Sequence, residues 1–94
     1  MGNMSKPFRW DPAKNSWLRK TRGFGFEDVI EAVEDGRLLA DLPHSGTGRG
    51  HQRLMVVAID GYAIVVPYVE DSDGPFLKTA FPDRRATRRF MGKD

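Results

Sequence analysis

Arg53-Leu54-Met55-Val56-Val57-Ala58-Ile59-Asp60-Gly61-Tyr62-Ala63-Ile64-Val65-Val66-Pro67-Tyr68-Val69 sets the architecture of this chain. Two β-rich apolar runs flank Asp60-Gly61. A two-residue type I′ turn needs positive φ at both central positions, and Asp-Gly meets that need. The stretch predicts an antiparallel hairpin with strands over residues 53–59 and 62–69. Both strands are almost continuously apolar, which places them at the centre of a sheet, covered on at least one face. Pro67 cannot donate a ladder bond, so it belongs at a bulge or near a strand end.

Upstream of the hairpin the pattern turns helical. Asp11-Pro12 is a favoured N-cap followed by proline at the first helical position, and Gly23 closes a helix over 12–22. Ala13, Trp17 and Leu18 mark its buried side, while Lys14, Arg19, Lys20 and Arg22 make its other faces basic. Phe26, Val29, Ile30 and Val33 recur at i, i+3, i+4 and i+7, predicting a second helix over 26–35. Glu27 and Asp28 suit the dipole of its first turn, and Gly36 ends it. A weakly alternating strand over 37–42 stops at Pro43. Residues 43–52 hold three glycines and no apolar side chain, which reads as an exposed loop.

Downstream, residues 70–74 form an acidic turn. A fourth strand over 76–81 stops at Pro82, and residues 86–91 can form a short basic helix anchored by Phe90. The predicted class is α+β: two N-terminal helices packed on a four-stranded antiparallel sheet, with the short C-terminal helix as an option.

The chain of 94 residues has room for one domain, 1–94, with residues 1–7 read as a disordered N-terminus. It has no cysteine. That excludes a disulfide framework, a thiol nucleophile and a thiolate zinc site, and it suits a cytoplasmic location. No apolar run approaches the roughly 20 residues of a membrane helix, so no membrane partner is expected. The opening residues lack the apolar stretch of a secretory signal. The net charge of +2 is unevenly laid out: +5 over 1–22, −5 over 27–41, −1 over 42–81 and +3 over 82–94. If the fold joins the two basic ends, they form a face suited to phosphates. The alternative is a solvated surface with its cations scattered.

Few residues carry recognisable chemistry. His44 and His51 flank the glycine-rich loop, and a histidine near its ordinary pKa exchanges protons at neutral pH. Only Asp41 and Asp60 accompany them, which is too little for a metal site. No cofactor is expected. Gly46-Thr47-Gly48-Arg49-Gly50 lacks the ending of a phosphate-binding P-loop. Trp10 and Trp17 read as core residues. There remain the cations: Lys14, Lys20, Arg22, Arg53, Lys78, Arg84, Arg85, Arg88 and Arg89. Cleaving RNA without a metal needs a base for the 2′-hydroxyl, cations for the phosphate and an acid for the leaving oxygen. Arginines and lysines supply the second role, and His44 or a lysine of depressed pKa would supply the first.

Phe8-Arg9-Trp10-Asp11-Pro12-Ala13-Lys14-Asn15, Arg22-Gly23-Phe24-Gly25-Phe26-Glu27-Asp28, Asp60-Gly61-Tyr62 and Arg84-Arg85-Ala86-Thr87-Arg88-Arg89 together resemble the BrnT family. These are the toxins of type II toxin–antitoxin modules, with a RelE/ParE-like fold. The resemblance spans residues 8–91. It implies an RNA-cleaving activity that inhibits translation, and a cognate ribbon-helix-helix antitoxin that neutralises the toxin and carries it to operator DNA. On that basis Lys20, Arg22, His44 and Arg85 are the catalytic candidates. Lys14, Arg84 and Arg88 are the RNA-binding ones, and Arg53 and Lys78 join them from the set of cations above. Two departures stand out. Gly25 replaces the usual hydroxyl cap of the second helix, and Lys20-Thr21-Arg22-Gly23 lacks the histidine that family members often carry there. A catalytically inactive homologue, kept as a protein-binding module, is the alternative.

Overall fold

The computed structural model describes residues 7–43 and 52–92. The expectations for residues 1–6, His44 and His51 lie outside these. In chain order the elements are β1 (Arg9–Trp10), α1 (Pro12–Arg22), α2 (Phe26–Glu34), β2 (Leu38–Pro43), β3 (Gln52–Ile59), β4 (Tyr62–Asp71), β5 (Gly74–Leu77), β6 (Phe81–Pro82) and α3 (Arg84–Met91). The class is α+β, with three helices among the described residues. None is long and apolar enough to cross a membrane.

The central hairpin forms as its turn chemistry requires. Asp60 and Gly61 take φ of 53° and 77°, and β3 and β4 pair in unbroken register from Ile59 opposite Tyr62 to Gln52 opposite Val69. β2 adds antiparallel to β3, with an irregularity between Leu38 and Ala40.

The far side of β4 corrects the expectation of four antiparallel strands. Among the described residues the sheet has six strands, ordered β1-β5-β4-β3-β2, with β6 also on β4. It is mixed, because β1 runs parallel to β5, Arg9 opposite Phe76 and Trp10 opposite Leu77. The expected fourth strand is divided: β5 pairs with Tyr68–Asp71 of β4, and β6 with Ile64 and Val65. Pro67 accounts for the division. Its carbonyl accepts from the Lys78 N–H at 2.9 Å, so its nitrogen points to the same edge and has no hydrogen to give. The neighbouring chain leaves the ladder there, over residues 78–80, and resumes as β6.

Alternate residues of β3 and β4 face opposite ways, and both faces are covered. Met55, Val57, Ile64, Val66 and Tyr68 pack with Leu18 of α1 and with Phe26, Val29 and Ala32 of α2. Val56, Ala63 and Val65 pack with Ala86 of α3, flanked by Phe81 and Phe90. Burial on two sides is why these strands carry apolar residues at nearly every position.

The orientation of α1 differs from the sequence expectation. Trp17, read as core, is 42% exposed, and Leu18 is the buried side chain of the helix. The stripe turned toward the domain is Asn15, Leu18, Arg19 and Arg22, an i, i+3, i+4, i+7 set made mostly of polar groups. Asn15 Oδ1 accepts from the Phe26 N–H at 2.7 Å, and its amide reaches both Glu27 oxygens at 2.9 Å. Arg19 pairs with Glu27 at 2.7 Å. These bonds, the Asn15 amide first, hold the Glu27 carboxyl below its ordinary range.

Asn15 thus caps α2 from the neighbouring helix, which explains the glycine at the cap position. A Cβ at Gly25 would lie 2.6 Å from Asn15 Oδ1 and 2.8 Å from Arg19 Nε. Serine is ordinarily as good a cap as any. Here Gly25→Ser is expected to destabilise the protein by on the order of 1 kcal/mol, because it displaces the cap already present. Urea unfolding checks the sign, and a stabilised variant would refute this account of the cap.

Candidate nucleic-acid interface

The C-terminal helix is positioned by its own first turn. The Asp83 carboxylate accepts from the Ala86 N–H at 2.9 Å, which caps α3. Thr87, only 3% exposed, donates its hydroxyl to the Asp83 carbonyl at 2.8 Å and accepts from the Ala63 N–H of β4 at 2.9 Å. With Ala86, Thr87 and Phe90 turned to the sheet, Arg84, Arg85, Arg88 and Arg89 project outward. Arg88 and Arg89 also sit in the last turn, where the helix dipole favours cations.

The helix does not span its whole face of the sheet. Beside it lies an open groove of about 640 Å³. Leu54, Val56, Val65, Pro67 and Phe81 form its floor, Leu42 its far edge, and Arg85 and Arg89 line it from α3. A second hollow of about 160 Å³ shares Pro67 and is bordered by Gln52, Val69 and Lys78. Arg85 and Lys78, distant in sequence, therefore border two adjoining hollows on one face.

The ion pairs among the described residues join Arg9 to Asp71, Arg19 to Glu27 and Asp28, Arg37 to Asp35, and Arg53 to Asp41. None involves Lys20, Lys78, Arg84, Arg85, Arg88 or Arg89, and the carboxylate that lines the groove with Arg85 and Arg89 is Asp83, the cap of α3. Other candidates have neighbours within the fold that hold them in place. The Arg22 guanidinium donates to the Ala80 carbonyl at 2.7 Å and lies 4.8 Å from the Trp17 ring centre. Lys14 Nζ lies 4.2 Å over the same ring.

Arg53 belongs to a hydrogen-bonded group on the α1/α2 side of the sheet. Its Nε donates to Asp41 Oδ1 and to the Tyr68 hydroxyl, both at 3.1 Å, and Tyr68 donates to Asp41 at 2.7 Å. Burial, then the Asp41 carboxylate, pushes the Tyr68 phenol up to about 12. An unfolded tyrosine ionises near 10, so the folded state favours the neutral phenol. Its contribution to stability is full below about pH 10 and is lost as pH rises through about 12. Phenolate absorbance followed with circular dichroism should show Tyr68 ionising as the protein loosens. Tyr68→Phe should remove that part of the alkaline loss and cost about 1 kcal/mol at neutral pH.

Among the described residues the two basic ends do not form one face. α1 carries Lys14, Lys20 and Arg22 on one side of the sheet, and α3 carries its arginines on the other. They approach only at the sheet edge, where Arg22 reaches Ala80 in the segment that also holds Lys78. Sequence reading missed Thr87, Asp41 and Tyr68 as organising residues. The signal for one pair was present: the Asp60-Gly61 turn fixes a register that puts Arg53 opposite Tyr68. Unpaired cations above an apolar floor can hold a phosphate chain while bases or apolar groups settle between them. No family model and no curated protein matches the chain.

Proposed function

We propose that this chain is the toxin of a type II toxin–antitoxin module. In this reading it has a RelE/ParE-like fold and acts in the cytoplasm as a metal-independent endoribonuclease. It inhibits translation and is neutralised by a ribbon-helix-helix antitoxin, through which alone it meets operator DNA. The observation that supports the reading best is Arg85 and Arg89, in no described ion pair, lining the open groove beside α3, with Lys78 at the adjoining hollow and Arg84 and Arg88 on the same helix. Arg85 stabilises the charge that builds on the scissile phosphate, and Arg84, Arg88 and Lys78 hold the flanking backbone. Lys20 and His44 are the remaining catalytic candidates, and proton transfer is the role their chemistry suits. The two N-terminal helices on one sheet face support the reading, whereas the mixed six-stranded sheet departs from the four antiparallel strands that the resemblance implies.

The test is induction of this chain alone, and together with the product of the adjacent reading frame. Growth arrest with RNA fragmentation, both relieved by the neighbour, is the expected result. An induced chain that leaves growth and RNA intact overturns the toxin reading. One observation favours the second reading, an inactive homologue retained as a protein-binding module. Arg22, a catalytic candidate, and Arg53, an RNA-binding one, are both bonded within the fold. That reading predicts tight binding to the neighbouring gene product with no RNA cleavage.

A further inference from the structure

Trp17 lies on the outward stripe of α1, with Lys14 and Lys20 three residues to either side. Two cations lie against its ring: Lys14 Nζ at 4.2 Å and the Arg22 guanidinium at 4.8 Å from the centre. Trp10, by contrast, packs 5.7 Å from Phe26 inside the fold. A half-exposed indole on a helix surface contributes little to the core, and a core role does not explain the two cations held against it.

We propose that Trp17, Lys14 and Arg22 form a stacking platform for single-stranded RNA, separate from the groove beside α3. The proposal rests on the ribonuclease reading for the choice of RNA as occupant. The chemistry is complementary at each position. The indole offers a flat face to an unpaired base, which stacks on it whatever its sequence. Arg22 is held in place by the Ala80 carbonyl, so its charge is preorganised beside the ring. Lys14 sits on a flexible stem, so an entering base displaces its ammonium from the ring toward a phosphate. A duplex, whose bases are stacked and paired, cannot use the platform in this way. Ala80 and Lys78 share the short segment at the sheet edge, so a strand leaving Trp17 along that edge runs toward Lys78 and the groove.

The experiment uses the full chain and a fluorescein-labelled 2′-O-methyl oligoribonucleotide of about 12 residues, long enough to cover one binding groove. Its blocked 2′-oxygens prevent cleavage, so binding is read apart from activity. Trp17→Ala is expected to weaken binding by roughly ten-fold, and Trp17→Phe to retain most of it. Lys14→Ala should lower the slope of log K against log salt by about 0.7, the value for one phosphate contact on a single strand. In Trp10→Phe protein, the oligonucleotide should quench the remaining Trp17 emission. The platform is overturned if Trp17→Ala stays within two-fold of wild type while circular dichroism shows it folded. It is also overturned if Trp17 matters equally for duplex RNA, or if polyglutamate binds with the same dependence on Trp17. The two readings fail separately. Quenching without growth arrest removes the toxin and keeps the platform, and arrest with no role for Trp17 does the reverse.

Discussion

Thr87→Val is expected to destabilise the protein by about 2 kcal/mol and to loosen α3 from the sheet. The substitution keeps the shape of the side chain and removes its hydroxyl. That hydroxyl accepts from the Ala63 N–H and donates to the Asp83 carbonyl. Ala63 is fully buried, so its amide would face valine methyl groups with no water at hand. Leaving a buried donor unpaired costs more than the net worth of the bond that was lost. The Asp83 carbonyl keeps the Thr87 N–H as a partner at 3.0 Å, so the larger part of the loss falls on Ala63. Thr87→Ser retains the hydroxyl and should recover most of the stability. Urea unfolding of the three proteins gives the ordering. Amide hydrogen exchange at Ala63 should rise well beyond that of β3 in the valine variant alone. Equal stability of valine and wild type would show that α3 is held by apolar contact and not by this bond.

The parts of the fold that were legible are those in which local chemistry agrees with the final structure. Asp11, Pro12 and Gly23 mark α1 correctly because caps act within one turn. Asp60-Gly61 fixes the hairpin and with it the entire β3–β4 register. Less was legible where a distant partner decides. β1 is a two-residue strand that exists only because β5 lies alongside it, and its sequence has no period to detect. The outward face of α1 was misread because its inward stripe is polar. Asn15 and Arg19 turn inward to serve the start of α2, and this leaves the tryptophan in solvent. An apolar count favours Trp17 as core, and a partner on another helix overrides it. The same limit applies to the site. The arginines of α3 announce themselves, but only the placement of α3 opposite α1 shows that the two basic ends occupy different faces. The apolar strands carried half of that message, because a strand that is apolar throughout asks for cover on both sides.

Removing the guanidinium groups beside the groove should have the largest effect on activity. Arg85→Ala is expected to lower RNA cleavage by roughly 100-fold, the scale seen when one preorganised donor to a developing charge is lost. Arg85→Ala/Arg89→Ala should abolish growth arrest on induction. Stability should hardly change, because Arg85 and Arg89 are exposed and pair with no described carboxylate, and Ala is itself a strong helix former. That separation makes the result interpretable: a loss of arrest with unchanged urea unfolding isolates chemistry from folding. Lys78→Ala should act differently. It borders the adjoining hollow and not the groove, so its loss should weaken RNA binding and lower the salt slope while leaving the rate at saturating RNA close to wild type. Arg85→Lys discriminates further. A lysine keeps the charge and loses the planar fork that binds two phosphate oxygens at once. If Arg85 clamps the scissile phosphate, the lysine variant remains well below wild type. If it only attracts the strand, the lysine variant cleaves almost normally. Full arrest by the double alanine protein would move the catalytic centre away from α3 and toward the Lys20 side of the sheet.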